Sequence, residues 1–232
     1  MKNIKLDDRL SAVADYISIG GVVADIGTDH AYLPCSLIKS GISKKCYAAD
    51  INDLPLMSAK STVIEHGLTD KVKLLLSDGL SEFDSTAQNE ITDIVIAGMG
   101  GELIVNILKN AEWVKKPDYN LILQPMTKAE VLREYLYSSG YILIDETACI
   151  AANKRYTVIN AKYNGASSEY SPLDLYIGKL KNKNDFAACE YKKMILNKLT
   201  KSAKGRLKSD SNDAMGLSLL SCAEELEKYV GE

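Results

Sequence analysis

The strongest constraint on the fold is a regular alternation of strand-like and helix-like segments between residues 5 and 140. Short apolar runs rich in β-branched residues alternate with longer runs whose apolar residues recur every three or four positions. The predicted strands cover residues 22–26, 46–50, 71–76, 92–97 and 121–123. The predicted helices cover residues 5–18, 32–40, 54–65, 102–111 and 127–139. This order is typical of βαβ units, so we predict an α/β fold with a parallel sheet and right-handed connections.

The pattern changes after Gly140. Residues 141–147 and 155–161 both have the composition of strands, and only a short polar link at Asn153 and Lys154 separates them. Because no helix fits between them, we predict an antiparallel hairpin. A polar stretch at 164–169 is typical of a linker, and the apolar spacing beyond it predicts two or three helices. We therefore predict two domains, residues 1–165 and residues 166–232.

Composition argues against membrane proteins and secreted disulfide scaffolds. No apolar run approaches the roughly 20 residues that cross a bilayer, and residues 1–14 lack the continuous apolar core of a secretory signal. The five cysteines are odd in number and none lies in a CxxC pair, so we predict a reducing, cytoplasmic compartment and no zinc site. We expect no membrane partner. The oligomeric state stays open, with a monomer as the simpler expectation.

Positive charge is concentrated near the C-terminus. The net charge is −3, yet residues 179–208 carry ten basic residues and only two acidic ones. A helical surface of this charge attracts nucleic-acid phosphates. We predict that the helical domain contacts RNA through Lys192, Lys193, Lys198 and Lys201, and that Arg9 joins them. The alternative is that these lysines form the solvated face of a helical hairpin.

Aspartates lie at or directly after the ends of the first three predicted strands. Asp25, Asp50 and Asp78 therefore share the edge at which parallel sheets bind ligands. Gly27 allows a ligand to approach the backbone, but its spacing is not GxGxxG, and Asp25 and Asp29 would repel a pyrophosphate. A zwitterionic or cationic ligand fits better, and together the three carboxylates predict an adenosine-bearing ligand without phosphate. The alternative for each is structural, as a turn or a helix cap.

The fourth strand ends in the glycine-rich stretch Ala97, Gly98, Met99, Gly100 and Gly101. Glycines at this density indicate a tight turn or close contact with a flat ligand. The fifth strand ends in Gln124, which adds an amide to the same edge, and His30 lies beside the predicted pocket without a second histidine nearby. We therefore predict no metal site.

Four strings carry a resemblance to a known family: VADIGTDHAYLP, IAGMGGELI, LILQP and the opening LDDRL. They resemble the bacterial TrmK family, S-adenosylmethionine-dependent methyltransferases that modify N1 of adenine at tRNA position 22. The resemblance covers residues 4 to about 163 and extends more weakly through the basic tail. It implies a class I methyltransferase fold, Rossmann-like, with a mostly parallel seven-stranded sheet ending in an antiparallel hairpin. A helical, coiled-coil-like C-terminal domain would follow.

The resemblance also implies roles for individual residues. The methionine part of S-adenosylmethionine, and of the product S-adenosylhomocysteine, would lie among residues of the first strand and its loop. Asp50 would bind the ribose, with Ile51 beside the adenine ring. The remaining implied cofactor-binding residues are Asp25, Gly27, Thr28, Asp29, His30, Asp78, Gly79, Ala97, Gly98 and Met99.

Methyl transfer to adenine N1 needs neither a strong base nor an acid, because N1 carries a lone pair and the sulfur leaves neutral. Catalysis should then rest on positioning and electrostatics. We predict that the Asp29 carboxylate and the backbone carbonyl at Gly98 and Met99 accept from the adenine amino group.

Three alternatives remain from the sequence. One is a methyltransferase acting on another RNA or a small molecule, and another is a non-catalytic RNA-binding protein. A nicotinamide dehydrogenase is the weakest, because the second and third glycines of its motif are missing.

Overall fold

The computed structural model describes residues 4–230, so the outermost residues of both predicted domains, 1–3 and 231–232, lie outside it. Within this described range, seven strands form one sheet: β1 Gly21–Ile26, β2 Ser43–Asp50, β3 Val72–Leu76, β4 Asp93–Gly100, β5 Asn120–Thr127, β6 Tyr141–Ala151 and β7 Lys154–Tyr163. The described helices are α1 Asp8–Ala14, α2 Tyr32–Lys39, α3 Asp53–Glu65, α4 Ser85–Glu90, α5 Gly101–Lys109, α6 Ala129–Ser138, α7 Pro172–Ile177, α8 Phe186–Ser209 and α9 Ala214–Glu227.

The strand order is β3-β2-β1-β4-β5-β7-β6. Neighbouring strands from β3 to β5 pair in parallel, and β7 pairs antiparallel to both β5 and β6. The α/β class, the parallel sheet and the terminal hairpin are therefore confirmed. The hairpin turn falls on Ala152 and Asn153, one residue earlier than predicted, and both adopt positive φ as a tight two-residue turn requires.

All six residues of β1 are buried, because helices cover both faces of the sheet. Side chains alternate between the faces, so Val22, Ala24 and Ile26 join the core under α5 and α6. Val23 joins the core on the other face, with residues of α1, α2 and α3. Asp25 continues this alternation and therefore points to the same face as α1.

The C-terminal helices form their own apolar core. Asp185 and Asp213 cap α8 and α9, and a capping box of Ser171 and Asp174 begins α7. Their buried apolar residues pack together with Ala148 of β6, which attaches the helices to the hairpin. No helix among residues 4–230 is both long and apolar enough to span a bilayer.

A buried ion pair joins the helices to the α/β unit. Arg133 of α6 contacts Glu146 of β6 with 2.9 Å between Nε and Oε1, and both side chains are fully buried. The same guanidinium donates to the backbone carbonyls of Leu175 and Tyr176 in α7, each at 2.9 Å. Breaking such a pair on one side leaves a buried charge uncompensated, so this junction fixes α7 against the sheet.

Candidate active site

A cavity of about 430 Å³ lies at the carboxyl ends of β1 and β4. This is the switch point of the sheet, since the connection from β1 runs to β2 on one side while β4 lies on the other. Open parallel sheets bind ligands at this place. The lining residues are Lys5, Leu6, Asp7, Arg9, Leu10, Asp25, Gly27, Thr28, Asp29, His30, Tyr32, Leu33, Ala97 and Gly98.

Asp25 is the buried charge of this cavity. Its side chain accepts one side-chain hydrogen bond within the described chain, from Thr28 Oγ1 at 2.7 Å to Oδ2. Burial raises the pKa of the Asp25 carboxyl to about 6; the Thr28 bond and the Arg9 charge lower it, and the Asp50 charge raises it slightly. A buried carboxylate with one donor has unused acceptor capacity, so the site suits a ligand that brings a positive charge or further N–H groups.

The loop after β1 is held in an unusual backbone conformation. The amides of Gly27 and Thr28 both donate to the Ala49 carbonyl, at 2.8 and 3.0 Å. Gly27 has φ of +74°, and a Cβ there would collide with the Met99 methyl group. Asp29 and Ala31 also adopt positive φ, at +51° and +55°. Non-glycine residues rarely take this conformation, and where they do it often accompanies a binding site.

The ends of β4 and β5 are linked through one amide. Gln124 is fully buried, and its Oε1 accepts from the Gly98 amide at 3.0 Å and from Arg9 Nη1 at 3.0 Å. Its Nε2 donates to the Pro125 carbonyl at 3.0 Å, which fixes the direction of the amide. Gly98 has φ of +81° but lies within β4, where the register with β5 shifts, so the backbone forms a bulge here and not the tight turn that was one of the two predictions. Arg9 thus contributes a wall of the cavity and also fixes the Gly98 bulge.

The cavity brings together seven of the predicted cofactor-binding residues: Asp25, Gly27, Thr28, Asp29, His30, Ala97 and Gly98. Met99 lies behind them, against Gly27. The predicted adenosine-binding residues lie along the same sheet edge but outside this cavity. Asp50 ends β2 and is close enough to act on the pKa of Asp25, and Ile51 is exposed beside it. Gly79 takes positive φ and packs against Ile107, which explains this glycine without a ligand.

Helix α1 closes the cavity, and its role was missed at the sequence level. The predicted amphipathic helix at 5–18 is shorter in the structure, Asp8–Ala14, and Lys5, Leu6 and Asp7 precede it along the cavity wall. Asp7 caps the helix and lies 3.6 Å from Arg9 Nη2. The opening string LDDRL was the available signal, because it places three consecutive charged residues at the start of the helix, and two of them, Asp7 and Arg9, line the cavity.

The structure contradicts the surface position expected for Lys192. This side chain is fully buried, and its ammonium donates to the Lys183 carbonyl at 2.9 Å, so it cannot reach a phosphate. The physical reason is helical periodicity. Ala188, Lys192, Ile195 and Leu199 recur at intervals of three and four, and the other three belong to the apolar core of the helices. That spacing was visible in the sequence.

Lys193, Lys198 and Lys201 are exposed on α8. Lys193 and Lys198 line a second cavity of about 810 Å³ between α8, the end of β5 and the β6–β7 turn. Lys128, Lys154 and Arg155 bring further positive charge to it, against Glu130 and Glu190. Arg155 Nη2 lies 2.8 Å from Glu190, and Lys198 Nζ lies 3.0 Å from Glu130. The cavity is thus a basic cleft between the two parts of the chain.

Metal-ligating side chains do not gather anywhere in the described part of the chain: no group of three or more histidine, cysteine, aspartate or glutamate residues is arranged to hold an ion.

The strand order, together with a cavity at the switch point built around a buried carboxylate, defines a class I methyltransferase. In agreement, residues 6–159 match a family model described as a methyltransferase domain. The tRNA (adenine(22)-N(1))-methyltransferase of Bacillus subtilis strain 168 is 38% identical over 200 residues, 86% of this chain and 82% of that protein. The chain therefore belongs to the family of tRNA (adenine(22)-N(1))-methyltransferases, TrmK, which confirms the resemblance.

Solved structures agree over nearly the whole chain. The crystal structure of B. subtilis m1A22 tRNA methyltransferase TrmK has a TM-score of 0.83 and 31% identity, covering 98% of this chain and 100% of that one. Streptococcus pneumoniae Sp1610 in complex with S-adenosyl-L-methionine also gives a TM-score of 0.83, with 28% identity and coverage of 98% and 100%. The similarity therefore includes the C-terminal helices as well as the α/β unit.

Proposed function

We propose that this protein transfers a methyl group from S-adenosylmethionine to N1 of the adenine at position 22 of tRNA. The family supports the reaction and the substrate, since a relative 38% identical over 86% of the chain carries this activity in its name. The observation in this chain that carries the proposal is Asp25, a carboxylate 5% exposed that faces the switch-point cavity.

The residues of the cavity fit this cofactor. Among the described residues Asp25 has one side-chain donor, so acceptor positions remain for the ammonium of a methionine moiety, and Gly27 lines the same cavity. Asp50 and Ile51, further along the edge, would bind the ribose and cover the adenine ring, and Asp78 with Gly79 would recognise its amino group. When bound, S-adenosylmethionine supplies a methyl group on a positive sulfur for in-line displacement.

The chain's own contribution to catalysis is orientation and charge. Asp29 is mostly exposed at the mouth of the cavity, with its Oδ2 3.6 Å from His30 Nε2. We assign Asp29 and the carbonyl at Gly98 or Met99 to accept from the amino group of the target adenine, which becomes more acidic as N1 gains positive charge. The Arg9 and Gln124 contacts hold the Gly98 bulge in place during this step.

The helical domain, residues 166–232, would bind the tRNA backbone. Lys193, Lys198 and Lys201 face solvent, and the basic cleft adjoins the end of β5, whose Gln124 contacts the Gly98 bulge at the cavity. Adenine N1 is buried in a Watson–Crick pair, so the target base must be unpaired or turned out of its stack. We expect the reaction to need no metal and to take place in the cytoplasm, where tRNA is, with the protein as a monomer.

The decisive experiment uses the purified protein, S-adenosylmethionine and two tRNA transcripts that differ only in adenine or guanine at position 22. We expect 1-methyladenosine at position 22 of the first transcript and none in the second, by nucleoside mass mapping. Methylation of ribosomal RNA instead would favour another RNA substrate. Failure to bind S-adenosylhomocysteine in a calorimetric titration would favour a non-catalytic RNA-binding protein.

The role of Asp29 is tested with Asp29→Asn, because asparagine adopts positive φ at a lower cost than alanine. Loss of a charged acceptor worth about 1.5–3 kcal/mol should lower kcat roughly 10- to 100-fold at saturating cofactor. Normal turnover together with unchanged S-adenosylhomocysteine affinity would contradict the catalytic assignment.

The role of the helical domain is tested through salt dependence. Replacing Lys193, Lys198 and Lys201 by glutamine should reduce the slope of log affinity for tRNA against log salt by about 2 to 3, if each lysine neutralises one phosphate. The matched control replaces the exposed Lys44, Lys60 and Lys71, which changes the charge equally on the α/β unit. Equal slopes in both triple variants would make the lysines of α8 a solvated face only.

A further inference from the structure

Two aromatic rings stack on each other at the mouth of the switch-point cavity. The rings of His30 and Tyr32 stack with centroids 5.2 Å apart and an interplanar angle of 21°. Both residues line the cavity, and Tyr32 is 47% exposed. We propose that Tyr32, backed by His30, is the platform on which the target adenine stacks while its N1 is methylated. This inference rests on the proposed function and adds the subsite for the base.

The loop that carries these rings is held in place by contacts that do not involve the rings. Thr28 is tied to Asp25, the Ala31 amide donates to the Thr28 carbonyl at 3.0 Å, and Ala31 is fully buried. His30 lies between two residues of positive φ, Asp29 and Ala31, so the backbone directs its side chain away from the core. A loop held by such contacts and presenting exposed rings is suited to stacking, since ordering it on binding costs little conformational freedom.

Folding does not account for Tyr32. Its hydroxyl has no hydrogen-bond partner within residues 4–230, and its only ring contact there is with His30. It is the first residue of α2, where Leu33 and Leu37 supply the buried face. A large, half-exposed ring that neither packs in the core nor satisfies a polar group is free to contact a ligand.

The chemistry of the reaction calls for such a ring. A base taken out of its stack loses one or two neighbouring bases, and an aromatic side chain replaces them with about 1–3 kcal/mol of stacking energy per base. The end of β4, with the sequence AGMGG, offers no aromatic residue. Among the described residues that line the cavity, His30 and Tyr32 are the aromatic ones, and Ala97 and Gly98 line the same cavity.

A competing use of the ring is attraction to the positive sulfur of the cofactor. An aromatic face binds cations, and S-adenosylmethionine is a cation at sulfur, whereas S-adenosylhomocysteine is not. The two uses predict different effects of removing the ring. If the ring stacks on the base, its loss lowers kcat/KM for tRNA. If the ring attracts the sulfur, its loss changes the ratio of the affinities for S-adenosylmethionine and S-adenosylhomocysteine.

The test compares Tyr32→Leu with Tyr32→Phe. Leucine keeps the apolar bulk without the ring, and phenylalanine keeps the ring without the hydroxyl. We expect Tyr32→Leu to lower kcat/KM for tRNA by about 5- to 100-fold, the rate equivalent of 1–3 kcal/mol, and Tyr32→Phe to stay within about threefold of the wild type. Both variants should bind S-adenosylmethionine and S-adenosylhomocysteine with wild-type affinities.

A spectroscopic measurement follows the stacking itself. In a tRNA with 2-aminopurine at position 22, emission should be quenched on binding to the wild type and to Tyr32→Phe, and should stay bright with Tyr32→Leu. Because the measurement needs binding and no turnover, it holds even where a variant reacts slowly. Thermal unfolding of each variant shows whether the fold is retained.

Three results would overturn the platform. One is a kcat/KM of Tyr32→Leu equal to the wild type, and another is equal 2-aminopurine emission in Tyr32→Leu and Tyr32→Phe. The third is loss of S-adenosylmethionine affinity alone, which assigns the ring to the sulfur. If the wild-type protein methylates no tRNA at all, the proposed function fails instead, and that outcome is visible before any variant is made.

Discussion

Two buried aspartates lie on the neighbouring strands β1 and β4, one at the amino end of its strand and the other near the carboxyl end. Asp93 begins β4 at the amino end and is fully buried. Its carboxylate accepts from the Ser18 amide at 3.1 Å, the Ser18 hydroxyl at 2.9 Å, the Thr92 hydroxyl at 2.6 Å and Asn120 Nδ2 at 2.9 Å. Asp25, near the carboxyl end of β1, is buried almost as completely and, within residues 4–230, accepts one side-chain hydrogen bond, from Thr28.

The difference separates a carboxylate that stabilises the fold from one that is kept for a ligand. A buried charge with its acceptor positions filled holds the elements around it in place. A buried charge with acceptor positions left open raises the free energy of the ligand-free fold. A ligand that fills those positions removes this cost, so binding is favoured. The same residue type, at similar burial, is thus expected to respond to substitution in opposite ways.

The largest expected effect is that of Asp93→Ala. Four donors lose their acceptor inside the protein, so we expect the free energy of unfolding to fall by about 3–5 kcal/mol. Urea unfolding measures this loss, and S-adenosylhomocysteine affinity, measured well below the unfolding transition, should stay within about threefold of the wild type. A wild-type unfolding midpoint would mean that this network contributes no net stability.

Asp25→Asn should do the reverse. Asparagine cannot supply the negative charge, so S-adenosylhomocysteine affinity should fall about 10- to 100-fold, as expected for loss of a charged hydrogen bond of about 1.5–3 kcal/mol. At pH 7 the variant should be more stable than the wild type by up to about 3 kcal/mol, since the raised pKa reports an unfavourable buried charge. Asp15→Asn, at an exposed aspartate just after α1, is the matched control and should change neither quantity.

The pH dependence of cofactor binding sharpens the contrast. The pKa of Asp25 is about 6 in the folded protein against an ordinary value of 3.8. Below pH 6 the affinity of the wild type for S-adenosylhomocysteine should fall by up to tenfold per pH unit, because binding uses the charged form. The contribution of Asp25 to the free energy of unfolding has the opposite pH dependence.

Between about pH 4 and 6 the native state keeps the Asp25 proton while the unfolded state loses it. The stabilising contribution of Asp25 is therefore complete below pH 4 and is lost as the pH rises through 6. Calorimetry at several pH values should show this component in Asp15→Asn but not in Asp25→Asn.

The fold was predictable because most of its information is local. Strand runs such as 22–26 and the helical spacing of α5 and α6 are visible in windows of ten residues. Helix α4, Ser85–Glu90, was missed, because its sequence STAQNE is polar and buries only Ala87. The extension of β4 to Gly100 was missed because glycines carry no strand signal, and pairing with β5 supplies it.

The site was predictable where it depends on strand ends and unpredictable where it depends on packing. Asp25 and Gly98 follow from strand order, because the carboxyl ends of parallel strands meet at one edge. That Arg9 reaches Gln124, 115 positions away in the chain, depends on how α1 lies over the sheet, which no local pattern determines. No sequence pattern distinguishes Tyr32 from the other residues of α2, and only its exposure at the cavity identifies it as a candidate functional residue.

Arg9 gives the smallest expected effect and connects the cavity to the RNA contact predicted for this residue. Its charge lowers the pKa of Asp25, and its bond to Gln124 Oε1 accompanies the bond from the Gly98 amide to the same oxygen, which holds the Gly98 bulge. Arg9→Met should therefore move the midpoint of the pH dependence of cofactor binding slightly upward. It should also lower kcat by about 2- to 10-fold, since a neutral acceptor loses one bond of about 0.5–1.5 kcal/mol while the Gly98 amide stays bonded. Arg9→Lys keeps the charge without the planar fork, so it should keep the midpoint and lose rate. A reduced salt slope of tRNA binding in Arg9→Met, with an unchanged midpoint, would instead mean that Arg9 contacts the RNA. The pKa of Asp25 would then be set by β1 and its loop, without a contribution from Arg9.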